Sequence, residues 1–321
     1  MELTFLGTSA GTPTRTRNVT GLGLQSGGPR QWYLIDCGEG TQHRILRTRL
    51  SLMQLRAIFV THVHGDHSFG LPGLLSSASM SGRTAPLPII GPPALQPFIE
   101  TALDSTDSSL GFELEFIHSH HDFLWQDEAV RVTSWPLSHR VPCHAFRFEE
   151  RNLERKLLTD SLVADGIEAG PDWGELQKGH DVRLPDGRLV RAADYTTIVR
   201  APRCLVVAGD NDTPSLLEHA CRDAHLLVHE ATYTQDVADR VGPWPQHSSA
   251  QQVATFAERI SLPTLILTHF SSRYQTHGSR GPLMADLAAE ARGAYNGRLF
   301  LAEDLRRYRL ERDLSVSEVS E

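Results

Sequence analysis

No apolar run in this 321-residue sequence approaches the roughly 20 residues needed to span a bilayer, so no membrane helix is expected. The opening Met1-Glu2-Leu3 carries an acid and no basic stretch, and no signal peptide is expected. Cysteine is scarce. Cys37, Cys143, Cys204 and Cys221 form no CxxC pair, which argues against a disulfide frame or a thiolate metal site and for reduced thiols in the cytoplasm. Basic excess is also missing. The net charge of −8 excludes a generic basic nucleic-acid binder, although residues 1–60 hold seven arginines against three acids, a local face suited to a phosphate-rich partner. No repeat of fixed short period is present.

What the chain does have is Thr61-His62-Val63-His64-Gly65-Asp66-His67, directly after the apolar Ala57-Ile58-Phe59-Val60. The apolar run reads as a buried strand, and the histidines begin where it ends. Residues two apart in extended chain share a face, so His62 and His64 are placed to hold one ion. Gly65 is expected to make the turn that swings Asp66 and His67 toward a second ion. Imidazole with carboxylate is the ligand set of zinc and its neighbours. A histidine-rich surface loop would need neither the strand nor the spacing.

Two metals need further donors, and the same strand-end setting recurs. His139 follows the run at 130–135, Asp210 the run at 204–208 and His269 the run at 265–268. Asp212 is a rival to Asp210. Asp36, after Leu34-Ile35, is expected to orient a ligand histidine. The cluster His118-Ser119-His120-His121 reads as solvated surface and His144 as a wall residue. His43, His180, His219, His225 and His277 have no ligand partner in sequence.

Strands are expected at 3–6, 32–35, 57–60, 87–90, 130–135, 145–148, 204–208, 226–229, 265–268 and 298–301. Helices are expected at 40–47, 70–79, 94–105, 215–222, 250–260 and 283–291. The stretch from about 149 to 203 lacks apolar periodicity and is rich in Gly, Pro and charge, as an inserted arm or a disordered linker would be.

These segments resemble the metallo-β-lactamase superfamily and, within it, the ribonuclease Z family of tRNA 3′-processing endonucleases, over nearly the whole chain. The likeness rests on the His62–His67 loop, Phe5-Leu6-Gly7-Thr8-Ser9-Ala10-Gly11, Asp36-Cys37-Gly38-Glu39-Gly40-Thr41-Gln42, Gly70-Leu71-Pro72-Gly73-Leu74, His229-Glu230-Ala231-Thr232, His247-Ser248-Ser249 and Thr268-His269. The resemblance implies an α+β fold, an αββα sandwich forming one domain over 1–321, with a flexible tRNA-gripping arm inserted at about 150–200. It implies two Zn2+ per subunit, with Mn2+ the alternative. His62, His64 and His139 would hold one, Asp66, His67 and His269 the other, and Asp210 would bridge. Asp66 would take a proton from the attacking water, and His247, oriented by Glu230, would protonate the leaving oxygen, expected to be a ribose 3′-oxygen. Arg15, Arg17 and Arg273 would hold phosphates near the cut, and Lys178 would act from the arm. Precursor tRNA is the implied substrate, cut by a cytoplasmic homodimer. A small-molecule phosphodiesterase of the same superfamily would share every metal ligand, and a non-catalytic RNA-binding subunit would need none.

Overall fold

The computed structural model describes residues 1–319 except 29, 121, 152, 277, 279 and 280. They fall into two compact units, Met1–Glu149 together with Arg203–Glu321, and Glu150–Pro202. The first unit begins with β1 (Glu2–Gly7), β2 (Gly21–Gln25), β3 (Trp32–Cys37), α1 (Thr41–Ile45), β4 (Leu55–Phe59), α2 (Gly65–Ser68) and α3 (Leu71–Met80). It continues through β5 (Leu87–Gly91), α4 (Leu95–Ser105), β6 (Leu114–His118), β7 (Leu124–Gln126), β8 (Val130–Leu137) and β9 (Cys143–Glu150). The second unit holds β10 (Arg155–Leu157), α5 (Thr159–Ala164), α6 (Pro171–Gln177), β11 (Val182–Arg183), β12 (Leu189–Val190), α7 (Ala192–Tyr195) and β13 (Thr196–Ile198). The chain then returns to the first unit with β14 (Cys204–Val207), β15 (Leu226–Glu230), α8 (Gln235–Val241), α9 (Ala250–Arg259), β16 (Thr264–Thr268), α10 (Met284–Ala294), β17 (Arg298–Leu301), β18 (Arg307–Leu310) and β19 (Val316–Val319).

One sheet has the order β19-β18-β1-β2-β3-β4-β5-β6 and the other β17-β16-β15-β14-β9-β8-β7. Strands β3 to β6 run parallel, as do β14 to β17. Their sequences are apolar without alternation because both faces are covered. In β4, Ala57 and Phe59 enter the core between the sheets, whereas Ile58 packs with Leu71, Leu74, Leu75 and Ile99 of α3 and α4. In β16, Ile266 faces inward, and Leu265 and Leu267 pack against Val253, Ala257 and Leu287 of α9 and α10. The result is the four-layer αββα sandwich. Phe59, Phe146 and Phe148 meet edge-on between the sheets, with ring centroids 5.1–5.3 Å apart for the two pairs that Phe59 makes.

All ten expected strands are present, with ends shifted by up to two residues. The expected helix at 215–222 is instead a 3-10 turn over Pro214–Leu217 followed by turns. Strand β2, Gly-Leu-Gly-Leu-Gln, gave no signal because glycine is a poor strand former, although Leu22 and Leu24 are core residues.

The second unit is neither structureless nor a linker. It has two small antiparallel pairings, β10 with β13 and β11 with β12, around a core of Leu162, Ile167, Leu176, Val190 and Ala192. Pro171 begins α6, where its missing N–H costs nothing. Among the described residues no helix is long and apolar enough to cross a membrane.

Candidate metal centre

The donors gather where strands end. His62 follows β4, His139 follows β8, Asp210 follows β14, Glu230 closes β15 and His269 follows β16. Ligand sites of open parallel sheets lie at the carboxyl ends of strands for the same reason, since loops there converge on one edge. Gly65 has no left-handed backbone, contrary to the expected sharp turn. His64 is extended (φ −58°, ψ 149°), and the single turn of α2 then carries Asp66 and His67. Gly38 is required beside this loop, because a Cβ there would lie 2.3 Å from the Asp66 carbonyl oxygen. Gly209 is required beside Asp210, where a Cβ would lie 2.6 Å from the Cys143 sulfur.

Donor atoms of His62, His64, His139 and Asp210 lie within 4.8 Å of one another, and so do those of Asp66, His67 and His269. Asp210 serves both groups with different oxygens. Its Oδ2 is 3.6 Å from His62 Nε2 and 3.7 Å from His139 Nε2, and its Oδ1 is 3.4 Å from His67 Nε2 and 3.5 Å from His269 Nε2. Around a tetrahedral ion with bonds of 2.0–2.1 Å, ligand atoms sit roughly 3.3–3.4 Å apart. The spacings His139 Nε2 to His64 Nδ1 (3.1 Å), His67 Nε2 to His269 Nε2 (3.3 Å) and His269 Nε2 to Asp66 Oδ2 (3.3 Å) have that scale.

The far side of each ring fixes the tautomer. The Thr61 hydroxyl donates to Asp36 at 2.9 Å and so accepts from His62 Nδ1 at 3.0 Å. His67 Nδ1 donates to Asp36 at 2.7 Å, the orienting role expected of Asp36. His139 Nδ1 donates to the Gln246 carbonyl at 3.1 Å. Thr232 donates to Glu230 at 2.6 Å and accepts from His269 Nδ1 at 3.1 Å. Four Nε2 lone pairs are thus left facing inward. His62 Nε2 is buried with no hydrogen-bond partner, a cost that a bound cation removes. Asp36 and His269 have φ of 58° and 56°, left-handed backbone that side chains seldom adopt. The residues present fit divalent metal ions.

Charge follows the same plan. Burial opposes ionisation of Asp66, but His67 and His269 hold it well below the usual carboxylate range. Burial opposes the charge of His247, and the Glu230 and Asp210 carboxylates outweigh it, raising the imidazole to about 9. His247 Nδ1 lies 3.0 Å from Glu230 Oε1. Glu230 also accepts from the Asn211 and Ser248 amides on Oε1 and from the Thr232 amide on Oε2. His247 shares a 4.8 Å group with Asp210 and His269, so distance alone does not separate acid from ligand there.

Asp212 lies outside these groups, and its carboxylate accepts from Thr213 instead. Arg17 is buried, and its guanidinium donates to the carbonyls of Ser271 and Tyr274 at 3.2 and 2.8 Å. It braces the loop after His269 and is not free for phosphate. Arg15 is exposed, Arg273 is exposed with its guanidinium 5.4 Å from the Tyr233 ring centre, and Lys178 pairs with Glu175 in the second unit. His144 is buried against Ser119, and His118 and His120 are exposed. His43, His180 and His219 are exposed, and His225 is half-buried against Cys204. His121 and His277 lie outside the described residues. Two residues at the mouth of the site escaped notice in the sequence. Arg140 and Phe69 line the opening together with Asp66, Asp210 and His247, and Phe69 is 62% exposed. Their only signal was adjacency to His139 and to the His62–His67 loop.

A solved metallo-β-lactamase fold protein from Bacillus subtilis covers 99% of this chain and is covered to 99%, with a TM-score of 0.66 at 17% identity. The chain therefore has the metallo-β-lactamase fold, and its clustered histidines and aspartates make it a divalent-metal protein of that class. Ribonuclease Z of Marinobacter nauticus is 64% identical over 320 residues, 99% of both chains. Human tRNase Z, short form, superposes over 97% of this chain and 100% of its own, with a TM-score of 0.67 and 26% identity. The chain belongs to the ribonuclease Z family. A family model described as anti-Pycsar protein Apyc1 also matches residues 1–140, which hold six of the eight strands of the first sheet and the His62–His67 loop.

Proposed function

We propose that this chain is a metal-dependent endoribonuclease that cleaves precursor tRNA on its 3′ side and leaves a 3′-hydroxyl on the tRNA. The observation that carries the reading is Asp210 reaching two donor triads with its two oxygens, in a chain alignable end to end with a Ribonuclease Z. The donor set of nitrogen and oxygen at tetrahedral spacing supports two zinc ions per subunit. When bound, such a pair supplies charge stabilisation to the attacking and leaving oxygens and lowers the pKa of water.

The side chains do the rest. His62, His64 and His139 would hold one ion and Asp66, His67 and His269 the other, with Asp210 within reach of both. Asp66, kept ionised by its neighbours, accepts the proton of the attacking water, with its Oδ2 steadied by the Gly11 amide at 2.7 Å. Glu230 accepts a hydrogen bond from His247 Nδ1 and so aims the Nε2 proton at the departing ribose 3′-oxygen, which becomes the 3′-hydroxyl of the tRNA while the phosphate stays on the trailer. Arg15, Arg273 and Arg140 neutralise phosphates around the cut, and Phe69 offers a ring to a flanking base. The unit Glu150–Pro202 serves as the tRNA grip, with Lys178 on it, and the active form is a homodimer in which one subunit's grip serves its partner's centre. Four free, buried thiols support a cytoplasmic setting.

The test is cleavage of one precursor tRNA with both new ends mapped, alongside elemental analysis. A single cut after the discriminator nucleotide and two equivalents of metal are expected. Intact RNA alongside rapid hydrolysis of a small phosphodiester would move the small-molecule reading ahead, and less than one equivalent of metal would end the two-ion assignment.

A further inference from the structure

A cavity of about 710 Å³ lies in the first unit, apart from the metal centre. It is formed at the amino ends of β1 and β14, whereas the metal donors follow carboxyl ends. Six residues of β14 and its extension separate Cys204 from Asp210, about 20 Å at roughly 3.3 Å per residue. Arg47, Arg49, Arg203, Arg307 and Arg309 line it, and Glu2 is its single acid. In a chain of net charge −8, that concentration of one sign calls for a cause.

Three of these arginines have a structural one. Arg307 and Arg309 pair with Glu2 across the β1–β18 ladder at 3.2 and 2.7 Å, and Arg203 donates to the Leu310 carbonyl at 3.1 Å. Arg47 and Arg49 have none. Both are exposed, and among the described residues neither guanidinium makes a hydrogen bond or ion pair. They sit on the short segment after α1 and line the cleft with no acid of their own to pair with. The Ser26 hydroxyl, on a residue 5% exposed at the wall of the same cavity, also has no partner. Unpaired guanidinium groups and an unsatisfied hydroxyl lining one cleft are what a phosphate ester or phosphate anion would satisfy, since guanidinium forks match its oxygens.

We infer that this arginine-lined cleft is a second phosphate-binding site, taking backbone phosphates of the RNA substrate at a distance from the cut. The inference rests on precursor tRNA being the substrate. It places part of the binding energy where it does not touch the reacting atoms, which is how remote contacts position a scissile bond.

The full-length protein tests it, with an Asp66→Ala background to keep the RNA uncut. Binding of a precursor tRNA is measured against KCl for this background and for the added pairs Arg47→Glu/Arg49→Glu and Arg47→Lys/Arg49→Lys. With two phosphates no longer neutralised, the plot of log affinity against log salt should flatten by about 1.8 for duplex or 1.4 for single-stranded RNA, and lysines should restore it. Turnover of bis(p-nitrophenyl) phosphate by the arginine variants with Asp66 intact should match wild type, showing a folded metal centre. Calorimetry with inorganic tripolyphosphate forms the second arm. Tripolyphosphate binding abolished in the glutamate pair, with an unchanged RNA slope, supports the site and makes a free polyphosphate its occupant. An unchanged slope with unchanged tripolyphosphate binding overturns it. A wild-type protein that cleaves no precursor tRNA refutes the proposed function instead, and the tripolyphosphate arm still decides the cleft.

Discussion

The metal centre and the inserted unit Glu150–Pro202 are built to opposite standards. At the centre, four of the clustered histidines have one ring nitrogen tied to a threonine, an aspartate or a carbonyl, and Asp36 and His269 have left-handed backbone. The inserted unit has five buried apolar side chains, and two of its charged pairs, Lys178 with Glu175 and Arg188 with Asp186, sit on the surface, while Arg200 with Glu150 at its base is largely buried. Exposed pairs of that kind add about 0–1 kcal/mol each. Chemistry at phosphorus requires atoms fixed to fractions of an ångström, whereas gripping a polyanion requires charge and reach. On the proposed function the difference in construction corresponds to a division of labour.

Four experiments would break or sharpen that contrast. Asp66→Ala removes a ligand and the proton acceptor together, so cleavage should fall by several orders of magnitude while tRNA binding persists. Retention of more than a tenth of wild-type turnover would refute the assigned role. His247→Ala should slow the chemical step about 10²–10⁴-fold with both metals retained. Because the carboxylates of Glu230 and Asp210 raise His247, wild-type kcat should decline on the alkaline side as the acid loses its proton, and the variant should lack that limb. Loss of metal from this variant would place His247 among the ligands. Replacing residues 152–195 by a Gly-Ser linker should cut precursor tRNA processing on the order of 10²-fold through poorer positioning. Hydrolysis of a small chromogenic phosphodiester should continue, and the salt dependence of tRNA affinity should flatten. Unchanged tRNA cleavage would show that the unit is no grip. Asp36→Asn should weaken metal binding about 10–100-fold without abolishing it, since it disturbs His67 from behind. Metal affinity equal to wild type in a competition titration would mean that Thr61 and the backbone suffice.

How much of the molecule is legible in its sequence depends on burial. Strands covered on both faces advertise themselves as apolar runs, and His62, Asp210 and His269 after β4, β14 and β16 are visible by position alone. Arg17 shows the limit, because the sequence gives its charge and not its burial against Ser271 and Tyr274. The second unit is opaque for a different reason. Its core draws Leu162, Ile167, Leu176, Val190 and Ala192 from helices of four to seven residues, a loop and a two-residue strand, too short for any period to register. Thr61 and Thr232 give no signal either, since threonine has no metal chemistry of its own.

The seven donors come from both halves of the sandwich. His62, His64, Asp66 and His67 follow a strand of one sheet, and His139, Asp210 and His269 follow strands of the other. Cations held by both sets would act as cross-links, and their binding energy would become folding energy. Free metal at a thousand times its dissociation constant adds about 4.1 kcal/mol per site to the native state, a large fraction of what an ordinary domain possesses. Chelation should therefore lower the melting temperature as well as stop catalysis, and the midpoint should rise with the logarithm of free metal. A midpoint indifferent to metal would show that the two sheets need no such rivet.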